Sequence, residues 1–130
     1  MNNKSASIQL KIDKAKTLLS EAQILVAHKG YKSIISRLYY ACYHATCALL
    51  LTQGLQSKTH KGLVVVLHKE FVLKGNFDSE KSSFFARLLQ EPMDEDYGDF
   101  VVMDYQTTFE FLEPAKEYIH YIEQLIKSLN

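Results

Sequence analysis

The chain has 130 residues, 15 Lys+Arg against 15 Asp+Glu, 47% hydrophobic residues, five glycines and two prolines. That length suits one domain with a core of ordinary size. The balance excludes a disordered chain, a collagen-like or low-complexity protein, and a disulfide scaffold resting on Cys42 and Cys47 alone.

Zero net charge gives no global attraction for nucleic acid, so any RNA or DNA contact must come from a local patch. The segment Met1 to Lys16 is broken by Lys4, Lys11, Asp13 and Lys14, which argues against a signal peptide. The most apolar stretch, Leu38 to Leu51, contains His44 and is shorter than the roughly 18 apolar residues of a membrane span. It reads as a buried core helix, and the expectation is a cytoplasmic protein with reduced thiols and no membrane partner.

Helical periodicity dominates. In the first segment Ile8, Ile12, Ala15, Leu18, Leu19, Ala22 and Leu25 or Val26 fall on one face, with Ser5 or Ser7 as a start cap and Gly30 as a stop. The second segment, about Lys32 to Gln53, is apolar nearly all round and ends at Gly54. A loop, Gly54 to Lys58, leads to a third helix over about Thr59 to Leu73, with Val64, Leu67 and Phe71 on one side. Val64-Val65-Val66 alone reads as a strand, but the flanking spacing favours helix. Gly75-Asn76 closes it, and Asp78 caps a fourth helix, Ser79 to Gln90, with Phe84, Leu88 and Phe85 turned inward. Pro92 and the acidic run Asp94, Glu95, Asp96 and Asp99 form a connector. The last helix spans roughly Gln106 to Leu129, with a stripe of Phe109, Leu112, Ile119, Ile122, Ile126 and Leu129; Pro114 kinks it or marks its start. Five helices with short loops give an all-α antiparallel up-and-down bundle.

Chemistry concentrates in Ser36-Arg37-Leu38-Tyr39-Tyr40-Ala41-Cys42-Tyr43-His44-Ala45. Arg37 and His44 stand two turns apart, so their side chains leave the same side of the helix, with Tyr40 and the small Ala41 between them. Ala41 leaves room for something to approach. An arginine in so apolar a helix is costly unless paired or facing a cleft. The pair is therefore a structural network, with Arg37 on an acid of another helix and His44 bonded to a tyrosine, or it is a site.

Three strings in register, the Arg37–His44 decapeptide, Thr59-His60-Lys61-Gly62 and Asp96-Tyr97-Gly98-Asp99-Phe100, resemble the small stand-alone HEPN-domain proteins of bacteria and archaea. The resemblance runs from about Ile8 to Leu125. It implies a helical bundle that dimerises. An arginine followed by a histidine after four to six residues is the hallmark of that superfamily, and Arg37 and His44, with six between, match it. In active members the pair forms a metal-independent endoribonuclease site across the dimer, often as the toxin of a pair with a minimal nucleotidyltransferase antitoxin. Leu38 departs from the pattern, since many ribonuclease members place a polar residue directly after the arginine. Toxins silenced by nucleotide transfer use a tyrosine shortly after the histidine; here Ala45, Thr46 and Cys47 follow, so that mode finds no support.

On this reading Arg37 and His44 are catalytic, and Tyr40 positions a phosphate or stacks on a base. His60 and Lys61, at a helix start, bind phosphate, unless Thr59 is simply a helix cap. Lys58, Lys61, Lys69 and Lys74, with His68, form a basic strip that reads as a solvated face. The acidic connector has no metal-loop spacing, and its carboxylates suit a pairing with Arg37 or Arg87; neither metal nor other cofactor is expected. Cys42 and Cys47 lie about 140° apart around the helix and read as small buried hydrophobes. The expectation is one HEPN-like domain over residues 1–130. It forms a homodimer through the Arg37/His44 face and serves as a toxin-type ribonuclease or RNA-binding module. The alternatives are a non-catalytic nucleotide-binding or protein-interaction module, and a purely structural pair inside a monomer.

Overall fold

The computed structural model describes residues 3–28, 31–90 and 105–129. Among these residues five α-helices follow in order: α1 (Asn3–Ala27), α2 (Tyr31–Thr52), α3 (His60–Leu67), α4 (Ser79–Leu89) and α5 (Tyr105–Ser128). No strand occurs among the described residues.

Apolar stripes explain the order of packing. The fully buried Ala15 and Ala22 of α1 and Ala41, Ala45 and Ala48 of α2 carry almost no side chain beyond the backbone, and α1 and α2 make the most extensive helix contact among the described residues. They run antiparallel. Lys4 reaches the Thr52 carbonyl at one end and Glu21 lies beside Arg37 at the other. Helix α5 packs against α2 and α1, with Ala115, Tyr118, Ile119 and Ile122 buried and Lys16 paired to Glu123 across the contact at 2.6 Å. Helix α4 closes the core through Phe85, whose ring stacks on Tyr39 of α2 at 6.0 Å and on Tyr118 of α5 at 5.5 Å.

Several boundaries differ from the sequence reading. Helix α1 begins at Asn3, so Ser5 and Ser7 lie inside it rather than capping it; Gly30 falls outside the described residues. The valine run is helical because Leu63, Leu67 and Phe71 give it one buried side, and its last turn, His68–Val72, widens into a π-helical turn. Gly54 and Gly75 end their segments at φ of +70° and +78°, a conformation open to glycine and strained for other residues. In α4 the buried ring is Phe85, and Phe84 is only partly covered. Helix α5 continues through Pro114 instead of starting there, because Phe111 and Leu112 before it and Ala115 and Tyr118 after it are all buried. Phe109 and Leu129 leave the predicted stripe, being 42% and 47% exposed, and Phe111 takes the inward place. The acidic connector and the Asp96–Phe100 string lie outside the described residues.

Candidate functional site

The register of α1 against α2 builds the site. Residues placed symmetrically about position 29 face each other, so Glu21 meets Arg37 and Lys14 opposes His44, with Lys11, about one turn away, also bearing on it. Arg37 is part-buried. Its Nη1 donates to its own helix at Ser33 O over 3.4 Å, and its Nε lies 3.7 Å from Glu21 Oε1. Both contacts are long for a hydrogen bond, and the two side chains are 38% and 50% exposed. Such a surface pair contributes under about 1 kcal/mol, and most of the five guanidinium donors have no partner among the described residues.

His44 is half-buried, with the Tyr43 ring edge-on at 5.2 Å. Burial first, then the charges of Lys14 and Lys11, hold its imidazole below the ordinary value of 6.5. The neutral form therefore dominates at neutral pH. A neutral imidazole near two lysines, with an arginine two turns away on the same side of the helix, can accept a proton where a phosphate is attracted. The acid that pairs with Arg37 is thus Glu21 of α1, and the acidic connector as its partner lies outside the described residues.

Ala41 is completely buried, so it opens no approach to the helix; the access lies over Tyr40, which is 38% exposed. His60 comes to this patch from α3. Its ring sits 4.7 Å from that of Tyr43, 5.3 Å from Tyr39 and 6.0 Å from Tyr40. The Thr-His-Lys-Gly turn explains how. Thr59 Oγ1 accepts from Gly62 N–H at 2.9 Å, an ordinary N-cap, and Ser57 Oγ donates to the Thr59 carbonyl. A Cβ on Gly62 would come within 2.4 Å of that Ser57 oxygen, so glycine lets the loop close tightly and turns His60 onto the tyrosines. Lys61 points to solvent, as do Lys58, His68, Lys69 and Lys74, the last paired to Glu70 at 2.9 Å. Of the five residues singled out, Arg37, Tyr40, His44 and His60 gather along one side of α2, and Lys61 stands outside.

The supporting core is asymmetric in its polar groups. Thr46 is buried, donates to the Cys42 carbonyl at 2.7 Å, and accepts from the Tyr118 hydroxyl at 2.6 Å. The Tyr39 hydroxyl is buried with no hydrogen-bond partner among the described residues. Cys42 is a buried free thiol as expected, whereas Cys47 is only part-buried.

The sequence reading overlooked Glu21, Lys14 and Lys11. The signal was available, because two consecutive helices that run antiparallel fix which of their residues oppose.

Comparison with known proteins gives a consistent picture. The HEPN-domain profile matches residues 8–129. A UPF0332 protein of Thermotoga maritima is 30% identical over 129 residues, covering 99% of this chain and 98% of its own. Two Methanocaldococcus jannaschii proteins, each named "Putative toxin", are also similar. One is 31% identical over 108 residues, spanning 83% of this chain and 68% of its own; the other is 41% identical over 68 residues, spanning 52% and 51%.

Proposed function

The chain belongs to the HEPN-domain family, and from that premise we propose that it is a toxin-type, metal-independent endoribonuclease or RNA-binding module. It works as a homodimer in the cytoplasm with a minimal nucleotidyltransferase as antitoxin, over one domain spanning residues 1–130. The observation that carries the reading is the pairing of a loosely held arginine with an imidazole kept neutral, two turns apart on one accessible side of α2.

The chemistry follows from those two groups. His44 removes the proton from an RNA 2′-hydroxyl, which attacks the adjacent phosphorus. Arg37 swings from Glu21 to the non-bridging oxygens and stabilises the charge that builds on them. The 5′-oxygen leaves with a proton, which His44 of the partner subunit supplies across the two-fold axis. Its own phosphate contact favours the protonated ring there, offsetting the burial that keeps it neutral in the free protein. Tyr40 and His60 border the path of the chain. No step requires a metal.

A second reading draws on the Glu21 contact. A carboxylate beside Arg37 competes with an incoming phosphate and suits a pair that joins α1 to α2 or a non-catalytic module in which a nucleotide phosphate displaces Glu21.

The test incubates purified protein with total RNA and excess chelator. Cleavage is expected to persist, and to fall about a hundredfold or more in His44→Ala and in Arg37→Ala. Equal cleavage by His44→Ala and wild type would overturn the assignment. Nucleotide binding without cleavage in the wild type would favour the second reading. The toxin framework is checked separately: growth arrest on expression is expected to vanish in the same variants.

A further inference from the structure

Beyond Tyr43, away from Arg37, a cavity of about 310 Å³ opens between the start of α1, the second half of α2 and the loop that leads to α3. Its polar rim comprises Ser7 and Lys11 of α1, Tyr43 and Cys47 of α2, and Gln56 and Ser57 of the loop. Two of these also belong to the site described above. Lys11 bears on His44, and the Tyr43 ring touches the His44 ring edge-on at 5.2 Å. A larger cavity of about 840 Å³, between the π-helical turn and the end of α5, shares no residue with the Arg37/His44 side and so says nothing about that site.

We infer that the smaller cavity is a nucleobase pocket, taking the base of the nucleotide next to the phosphate held by Arg37 and His44. This rests on the ribonuclease reading and gives that site a substrate preference. Four features fit a base better than another ligand. The volume lies at the lower end for small-molecule sites, enough for one ring system but not for a longer segment. One wall is aromatic, and Tyr43 is held in place by the His60 ring at 4.7 Å and the His44 ring at 5.2 Å. Gln56 is exposed at the rim, and its amide offers both a donor and an acceptor, the combination a base edge presents in return. Lys11 lines the cavity and its charge also acts on His44, so it can meet the phosphate joining the pocketed nucleotide to its neighbour. The Ser57 hydroxyl is engaged with Thr59, at 2.9 Å to its carbonyl, so it fixes the loop rather than reading a ligand.

The experiment uses dinucleotides with a 2′-deoxy sugar at the scissile linkage, which cannot be cleaved, carrying each of the four bases or an abasic sugar at the tested position. Calorimetry on wild-type protein is expected to show one base class binding about tenfold more tightly than the abasic ligand. Ser7→Trp and Gln56→Trp, both at exposed positions, are each expected to fill the cavity and reduce that base to the abasic affinity. Arg37→Ala is expected to weaken base-bearing and abasic ligands alike. Equal affinity for abasic and base-bearing ligands, or a preference that survives both tryptophans, overturns the pocket. Cleavage of RNA is scored in parallel. Cleavage without base-dependent binding overturns the pocket and leaves the ribonuclease, whereas base-dependent binding without cleavage upholds the pocket and overturns the ribonuclease.

Discussion

On the side of α2 that meets α5, Thr46 donates to Cys42 and accepts from Tyr118 over distances below 3 Å, all of it out of contact with water. On the side that borders α1, Arg37 reaches Glu21 only at 3.7 Å and stays more than a third exposed. The same helix thus carries one polar group locked by short bonds in a low dielectric and another held by a weak contact that solvent screens. The contrast separates the two jobs. A buried polar atom must be satisfied at once, so its partner is fixed during folding. On the proposed reading Arg37 takes an anion, which requires that it leave its resting partner, and a contact worth little allows that.

The largest effect expected is on the closed side. Thr46→Val keeps the shape but leaves the Tyr118 O–H buried without an acceptor, and should cost about 1–3 kcal/mol in chemical denaturation. Adding Tyr118→Phe removes the stranded donor and should recover most of that loss. If the double variant is no more stable than Thr46→Val, the hydroxyl pair is not what joins α2 to α5.

A smaller effect, of opposite sign, sharpens the same contrast within the aromatic column of Tyr39, Phe85 and Tyr118. Tyr39 and Tyr118 are both buried and both touch Phe85, yet only Tyr118 has a partner for its hydroxyl among the described residues. Removing the unpartnered oxygen in Tyr39→Phe should leave stability unchanged or raise it by about 1 kcal/mol. A loss of similar size, measured by thermal or urea unfolding, would mean that the Tyr39 hydroxyl is bonded in solution.

These two sides were not equally legible in the sequence. The helices were readable because burial writes itself as periodicity: Ile12, Ala15 and Ala22, or Ile119, Ile122 and Ile126, are one-face patterns that packing enforces. Arg37 and His44 stood out because polar groups in an apolar helix demand a reason. What periodicity cannot show is which element comes to meet them. Glu21, Lys14 and Lys11 read as ordinary surface charges of α1 until the antiparallel register sets them opposite α2. His60 reached the tyrosines through a loop closure that depends on a hydroxyl of Ser57 passing close to Gly62, a contact with no spacing rule. Ala41 misled for a related reason. Smallness signals close approach of another element, and here the neighbour is the protein's own core rather than a ligand. Phe109 and Leu129, near the two ends of α5, are part of the pattern but stand largely exposed, so periodicity alone overstated the buried length of the stripe.

The finest test concerns the charges that α1 lends to the open side. The His44 imidazole is held below its ordinary 6.5 by burial, then by Lys14 and Lys11. Lys14→Gln combined with Lys11→Gln removes the second and third causes, so the His44 titration followed by NMR should move upward while burial keeps it from returning fully. The sign for stability follows from linkage. The folded ring takes its proton at lower pH than the unfolded one, so its contribution is complete above about 6.5 and declines as pH falls through that value toward the lowered one. Stability should therefore fall slightly between pH 7 and 5, and the double lysine variant should fall less. Glu70, whose carboxyl Lys74 holds below its usual range, loses its contribution only at more acidic pH and does not contaminate this window. A His44 titration that ignores both lysine changes would show that α1 does not set the charge state of this side of α2, and the neutral base would then have to be explained by burial alone.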